Sequence, residues 1–196
     1  MKKYFSLKIL YVMALAIFTA GCATTEFVTS TLPAGELSIR QAKVYAYSFL
    51  DLRDVDLGPR MPAQVNSQLV KALGNENVSL QAIQFKNTDV GRSFSTINRG
   101  MTVPVRQTIE SNATAEDSFG ADYRLVIFPS SIVLSGAWKF YDIRWELTDI
   151  ETGNRVWSSV SKGKHLTFWK NDEDPEGRAK VIVDGAVSEL KRAGLI

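Results

Sequence analysis

One cysteine occurs in the 196 residues, Cys22, and its setting constrains the chain twice over. A lone thiol cannot close an intramolecular disulfide, so no such staple supports the fold. The residues before it also read as an export signal that ends at this cysteine. Lys2, Lys3 and Lys8 make a positive start, Ile9 to Phe18 form an apolar run, and Thr19-Ala20-Gly21 places small residues ahead of the cysteine, the pattern of an export signal. The stretch from Ile9 to Ala20 falls short of the roughly 20 apolar residues that span a bilayer. The expectation is a signal peptide over residues 1–21 and acylation of Cys22. Each buried methylene of the attached chains adds about 0.8 kcal/mol, so several chains anchor the protein to a bilayer that it does not span.

Residues 1–21 hold three lysines and no acid, so their removal takes the formal charge from +2 to −1. A near-neutral mature chain gives no support for nucleic-acid binding, which needs clustered basic residues to displace counterions from phosphate. The one dense charge run is acidic, Asp172-Glu173-Asp174 with Glu176. It lacks the alternating acids, the glycine and the late glutamate of a calcium loop, and reads as a solvated loop.

From Ala23 to Gly35 the sequence is rich in Thr, Ser and small residues, the composition of a short tether. The expected organisation is therefore a lipidated cysteine with a flexible arm over 22–39 and one periplasmic domain over 40–196. The 17 residues from 23 to 39 span at most roughly 60 Å and, relaxed, roughly 20 to 25 Å. By resemblance to enterobacterial sorting, in which Asp after the cysteine retains a lipoprotein in the inner membrane, Ala23 implies the outer membrane.

The domain is long enough to bury roughly 70% of its unfolded surface. Lys43 to Leu52 carries apolar groups on both faces, the mark of a strand covered on two sides. Pro62 opens a helix with Val65, Leu69, Ala72 and Leu73 on one side, stopped at Gly74-Asn75. A strand over Val78 to Phe85 follows, then the polar, irregular stretch Lys86 to Thr102, then a helix over about Pro104 to Ser118. Three strands come next, Ala121 to Leu134, Trp138 to Ile150 and Arg155 to Lys164. From Pro175, Ala179, Ile182, Val183, Ala186, Val187, Leu190 and Ala193 recur at helical spacing before Gly194. The order β-α-β-α-β-β-β-α predicts an α/β (α+β) fold, a five-stranded mixed sheet with three helices, the first three strands parallel and the last three an antiparallel meander.

No chemistry-bearing motif stands out. His165 is the only histidine, which rules out a two-histidine metal site and leaves any Ser-His-Asp arrangement resting on one residue. No nucleophile elbow, phosphate loop or dinucleotide fingerprint occurs, so no catalytic residue, metal or cofactor is assigned. Trp138 and Phe140 share a strand face with Asp142, while Phe168 and Trp169 precede the acidic loop. These four aromatics are the candidate partner contacts, since aromatic residues bury large area at low entropy cost. The alternative for them is packing beneath the last helix; for Trp145 and Trp157 a core position is expected.

The segment Trp145-Glu-Leu-Thr-Asp-Ile-Glu-Thr-Gly-Asn-Arg-Val-Trp157 reads as a tight hairpin in which Gly153 supplies a positive φ. Here Leu147, Asp149, Thr152, Gly153 and Trp157 match a strand, Asp, Thr-Gly, Trp-ending strand pattern. In it the chain resembles the LpoB-like outer-membrane lipoproteins that activate peptidoglycan synthases, a group that resembles in turn the curli-secretion lipoprotein CsgG and the N-terminal domain of TolB. Two departures limit the likeness: the arm after Cys22 is short, and Gly91 to Phe119 holds no pair of strands of the 9 to 11 residues that a membrane barrel needs. The resemblance implies a non-enzymatic accessory or assembly factor that binds another envelope protein or self-associates. A binding module for an envelope glycan or small ligand, walled by Lys86 to Thr102 and the aromatic loop, is the alternative.

Overall fold

The computed structural model describes residues 24–31, 37–51, 57, 60–86, 105–166 and 174–196. Strand β2 (Lys43–Asp51) lies between β3 (Ser79–Lys86) and β4 (Tyr123–Ser135), both of which run parallel to it. Successive side chains of a strand point to opposite faces, and on β2 both sets are apolar. Val44, Ala46 and Leu50 join the main core on one face, while Tyr45, Tyr47 and Phe49 join a second, aromatic cluster on the other.

Two helices cover the first face. The connection from β2 to β3 holds α1 (Met61–Gly74), which buries Val65, Leu69 and Leu73. The chain ends in α3 (Pro175–Arg192), packed beside α1 and burying Ala179, Ile182, Val183, Ala186 and Leu190. Asp174 caps α3, its carboxylate accepting a 2.9 Å hydrogen bond from the Gly177 amide, with Pro175 in the first turn. On the second face lies α2 (Val105–Phe119), whose Val105, Ile109 and Phe119 pack on the aromatic cluster.

β4 then folds back through β5 (Trp138–Asp149) and β6 (Arg155–Leu166) as an antiparallel meander. The five strands and three helices follow the expected order. Trp145 and Trp157 are 1% and 0% exposed, in the core. Gly153 adopts φ +71°, and Asp149 Oδ1 accepts from the Thr152 amide at 2.8 Å, so the Asp-Thr-Gly motif is the turn that closes β5 onto β6.

One element is additional. Thr24–Thr31, inside the segment expected to be a flexible arm, forms strand β1 and pairs antiparallel with β6 from Thr24↔Lys164 to Thr31↔Trp157. The sheet therefore has six strands in the order β1-β6-β5-β4-β2-β3. Its composition misled because Thr is common in linkers, yet Thr, Phe and Val are also strand formers, and β6 without β1 is an open edge with unpaired amides and carbonyls.

Candidate functional site

The residues of β5 divide cleanly between the two faces. Tyr141, Ile143, Trp145 and Leu147 point into the core under α1 and α3. Trp138, Phe140, Asp142, Arg144 and Glu146 alternate with them and lie on the opposite face. α2 covers that face only over β2 and its neighbours, and among the described residues no helix packs on β5 or β6 from that side. Packing of Trp138 and Phe140 beneath the last helix is thereby overturned: α3 occupies the other face.

Two regions make up this uncovered face. Toward the Thr152-Gly153 turn it is charged, with Glu146 Oε1 3.6 Å from Arg144 Nη1 and 3.3 Å from Arg155 Nη1. Both arginines are exposed, so the cluster is solvated and adds little to stability. Toward the other end the face turns apolar. The last β2–β4 pair is Ser48↔Ile127, yet β4 continues to Ser135, a further eight residues or roughly 25 Å of strand. The β4–β5 hairpin thus outruns the rest of the parallel sheet, turning at Gly136, which has φ +59°. On it Val133 and Phe140, on this face, are 53% and 42% exposed, and Leu134, opposite Lys139 on the other face, is 66% exposed. Val133 pairs directly with Phe140, and the Lys164 ammonium stands 5.2 Å from the Trp138 ring centroid.

Of the four aromatic contact candidates, Trp138 and Phe140 therefore sit together on the exposed hairpin; Phe168 and Trp169, like Cys22, lie outside the described residues. Sequence reasoning missed Val133 and Leu134. Their signal was present as Ile132-Val133-Leu134, apolar on both faces of a strand end with no helix left to cover it.

A groove of about 470 Å³ opens at the other end of the sheet, lined among others by Ser38, Arg40, Asp122, Tyr123, Asp149 and Glu151. Two of its acids hold backbone: Asp122 Oδ2 accepts from the Lys43 amide at 2.8 Å, and Asp149 caps the hairpin turn. It lies where β2 and β4 begin, opposite the carboxyl ends of the strands at which open α/β sheets bind ligands. The most enclosed carboxylate among the described residues, Glu116 on α2, is 2% exposed and takes a bidentate contact from Arg124 on β4, with Nε at 2.8 Å from Oε1. That pair fastens α2 to the sheet. Beside it the Tyr47 hydroxyl finds no hydrogen-bond partner of acceptable geometry, and its pKa is pushed up by burial first and by the Glu116 charge second.

No family model matches the chain, and no curated protein matches it. Solved structures do. The PelC dodecamer from Paraburkholderia phytofirmans superposes with a TM-score of 0.51 at 14% identity, over 88% of this chain and 99% of that one. The lipoprotein GNA1162 from Neisseria meningitidis gives 0.43 at 16% identity, over 77% and 99%. At these identities the likeness is one of fold. No family model and no curated protein confirms the finer resemblance to LpoB-like activators, CsgG and TolB.

Proposed function

We propose that the chain is a lipid-anchored, non-enzymatic accessory or assembly factor of the outer membrane, facing the periplasm and binding another envelope protein through the uncovered face of β5 and β6. The observation that carries this reading is the asymmetry of the sheet. One face is closed by two helices along the meander, while the other presents Arg144, Glu146, Arg155 and Lys162 to solvent and becomes apolar at its far end. A surface that is broad, charged at one end and apolar at the other suits protein contact better than chemistry, which needs convergent groups in a cleft. The Thr19-Ala20-Gly21-Cys22 motif supplies the anchor. The Paraburkholderia fold neighbour is a dodecamer, which makes a second copy of this chain one of the partners to test.

The test is photo-crosslinking in intact cells from positions 144 and 160 on the uncovered face, with Val181, 45% exposed on α3, as the control. A discrete adduct with one envelope protein, or with a second copy, from 144 and 160 but not from 181 is the expected result. Retention on envelope glycan with no protein adduct would replace this reading by the ligand-binding module.

A further inference from the structure

We infer that the β4–β5 hairpin tip rests on the bilayer that holds the acylated Cys22, so that the domain is docked on lipid by the end of its sheet. The inference rests on the lipid-anchor reading above and adds to it a second, non-covalent membrane contact.

Its basis is a register. Thr24, the first residue of β1, lies opposite Lys164; Lys164 lies opposite Phe140; and Phe140 lies opposite Val133. Four adjacent strands thus bring the start of β1 and the exposed Val133 and Phe140 into a single row. Three inter-strand steps of about 4.8 Å put roughly 14 Å between Thr24 and Val133. Because β1 is antiparallel to β6, the chain enters the sheet at the tip end. Cys22 precedes Thr24 by two residues, a reach of at most about 7 Å. Trp138 stands two residues beyond the Phe140 row, again about 7 Å of strand. The ladder therefore holds the anchor and the hairpin tip at about the same level, and a domain tied there brings its tip to the interface.

The residues at that level suit lipid. Leu134, Val133 and Phe140 are the most exposed large apolar side chains among those described, with Val181. Trp138 pairs a wide ring with the Lys164 ammonium, an apolar body beside a charge as found at headgroup depth. Lys162 has a carboxylate opposite it on each neighbouring strand, Asp142 and Glu26, whereas Lys164, one row nearer the tip, stands opposite Phe140 and Thr24, and no acidic residue occurs from Ser130 to Tyr141 or from Ser158 to Leu166. Anionic headgroups meet net attraction there. A protein-binding patch need not share a row with the anchor, whereas a lipid-binding one must.

The test uses the full acylated chain in vesicles of phosphatidylethanolamine and phosphatidylglycerol, with Leu134→Cys carrying an environment-sensitive fluorophore. Acylation blocks Cys22, so the introduced thiol is the only one free. Lys71→Cys, exposed near the far end of α1, is the reference, and Val133→Cys is a second tip position. Blue-shifted emission and strong quenching by nitroxide-bearing lipids at 134 and 133, with neither at 71, is the expected result. A protein that floats with the vesicles and carries the acyl mass, yet leaves 134 as open to a water-soluble quencher as 71, overturns this inference and leaves the anchor standing. Absence of the acyl mass together with loss of flotation overturns the anchor reading, and this inference with it.

Discussion

Gly163 of β6 lies directly across the ladder from Tyr141 of β5, and the phenol ring of Tyr141 fills the space that a side chain at 163 would need. A β-carbon built at Gly163 falls well inside the van der Waals shells of the ring and hydroxyl of Tyr141, which is itself only 2% exposed. Gly163→Ala must therefore push a buried ring out of its place. Overpacking of this kind costs about 1 to 3 kcal/mol. Thermal unfolding should show a lowered Tm for Gly163→Ala, and a smaller loss when the same change is made in a Tyr141→Leu background. Equal losses in both backgrounds would refute the steric account.

The Glu116–Arg124 pair makes the second prediction. Glu116 is 2% exposed and Arg124 27% by side chain, and the guanidinium meets the carboxylate with two nitrogens. Removing one partner strands the other's charge. Arg124→Met should cost roughly 3 kcal/mol, the low end for a buried pair because the arginine is partly solvated. In the double variant with Glu116→Met much of that loss should return, since an apolar pair of similar volume leaves nothing charged to bury. Urea unfolding of the four chains of this cycle measures the coupling, and strict additivity would show that the pair holds no interaction energy.

Tyr47 gives a prediction in pH. Its pKa is raised from the ordinary value of 10.0 by burial and by Glu116, so folding favours the neutral phenol. The stability this contributes is complete below the unfolded pKa and is lost as pH rises toward the folded one, because the unfolded chain ionises first. Stability should therefore fall from about pH 10 upward. Tyr47→Phe removes the titrating group at a site whose hydroxyl has no hydrogen-bond partner, so it should leave the urea midpoint at pH 7 unchanged or slightly higher and flatten the alkaline fall. Tyr45 and Tyr123, also raised by burial, keep part of the slope. An unchanged alkaline slope would exclude Tyr47 as a contributor.

What could be read in advance follows from how local the signals are. β2 was legible because Tyr45, Tyr47 and Phe49 alternate with Val44, Ala46 and Leu50, and only a strand buried on both sides tolerates that pattern. α3 was legible because its apolar stripe and its Pro175 and Gly194 ends lie within one segment. β1 was not, because what makes Thr24–Thr31 a strand is the open edge of β6, more than 120 residues away. The exposure of Phe140 was undecidable for the same reason: its alternation with Tyr141 fixes that one of them faces the core, but which face α3 covers is a matter of packing between distant elements. The site is thus half legible, its residue types from the sequence and its placement from topology alone.

The pairing of β1 with β6 carries the last prediction. With β1 in place, β6 is an interior strand, bonded to β5 on one side and to β1 on the other. Alternate amides of an interior strand point to each neighbour, so the β6 amides directed at β1 owe their protection to Thr24–Thr31 alone. Hydrogen exchange of the acylated chain in vesicles should show slow exchange along both sides of β6. Val28→Pro, placed opposite Val160 in the middle of the β1 ladder, removes a donor and cannot be accommodated inside a paired strand. It should speed exchange at the β1-facing amides of Ser158 to Lys162 while leaving the β5-facing ones slow, because the β5–β6 ladder holds the latter independently of β1. If all amides of β6 exchange alike before and after the substitution, the anchor is free of the sheet, and the row that aligns Thr24 with Phe140 and Val133 no longer fixes how the domain meets the bilayer.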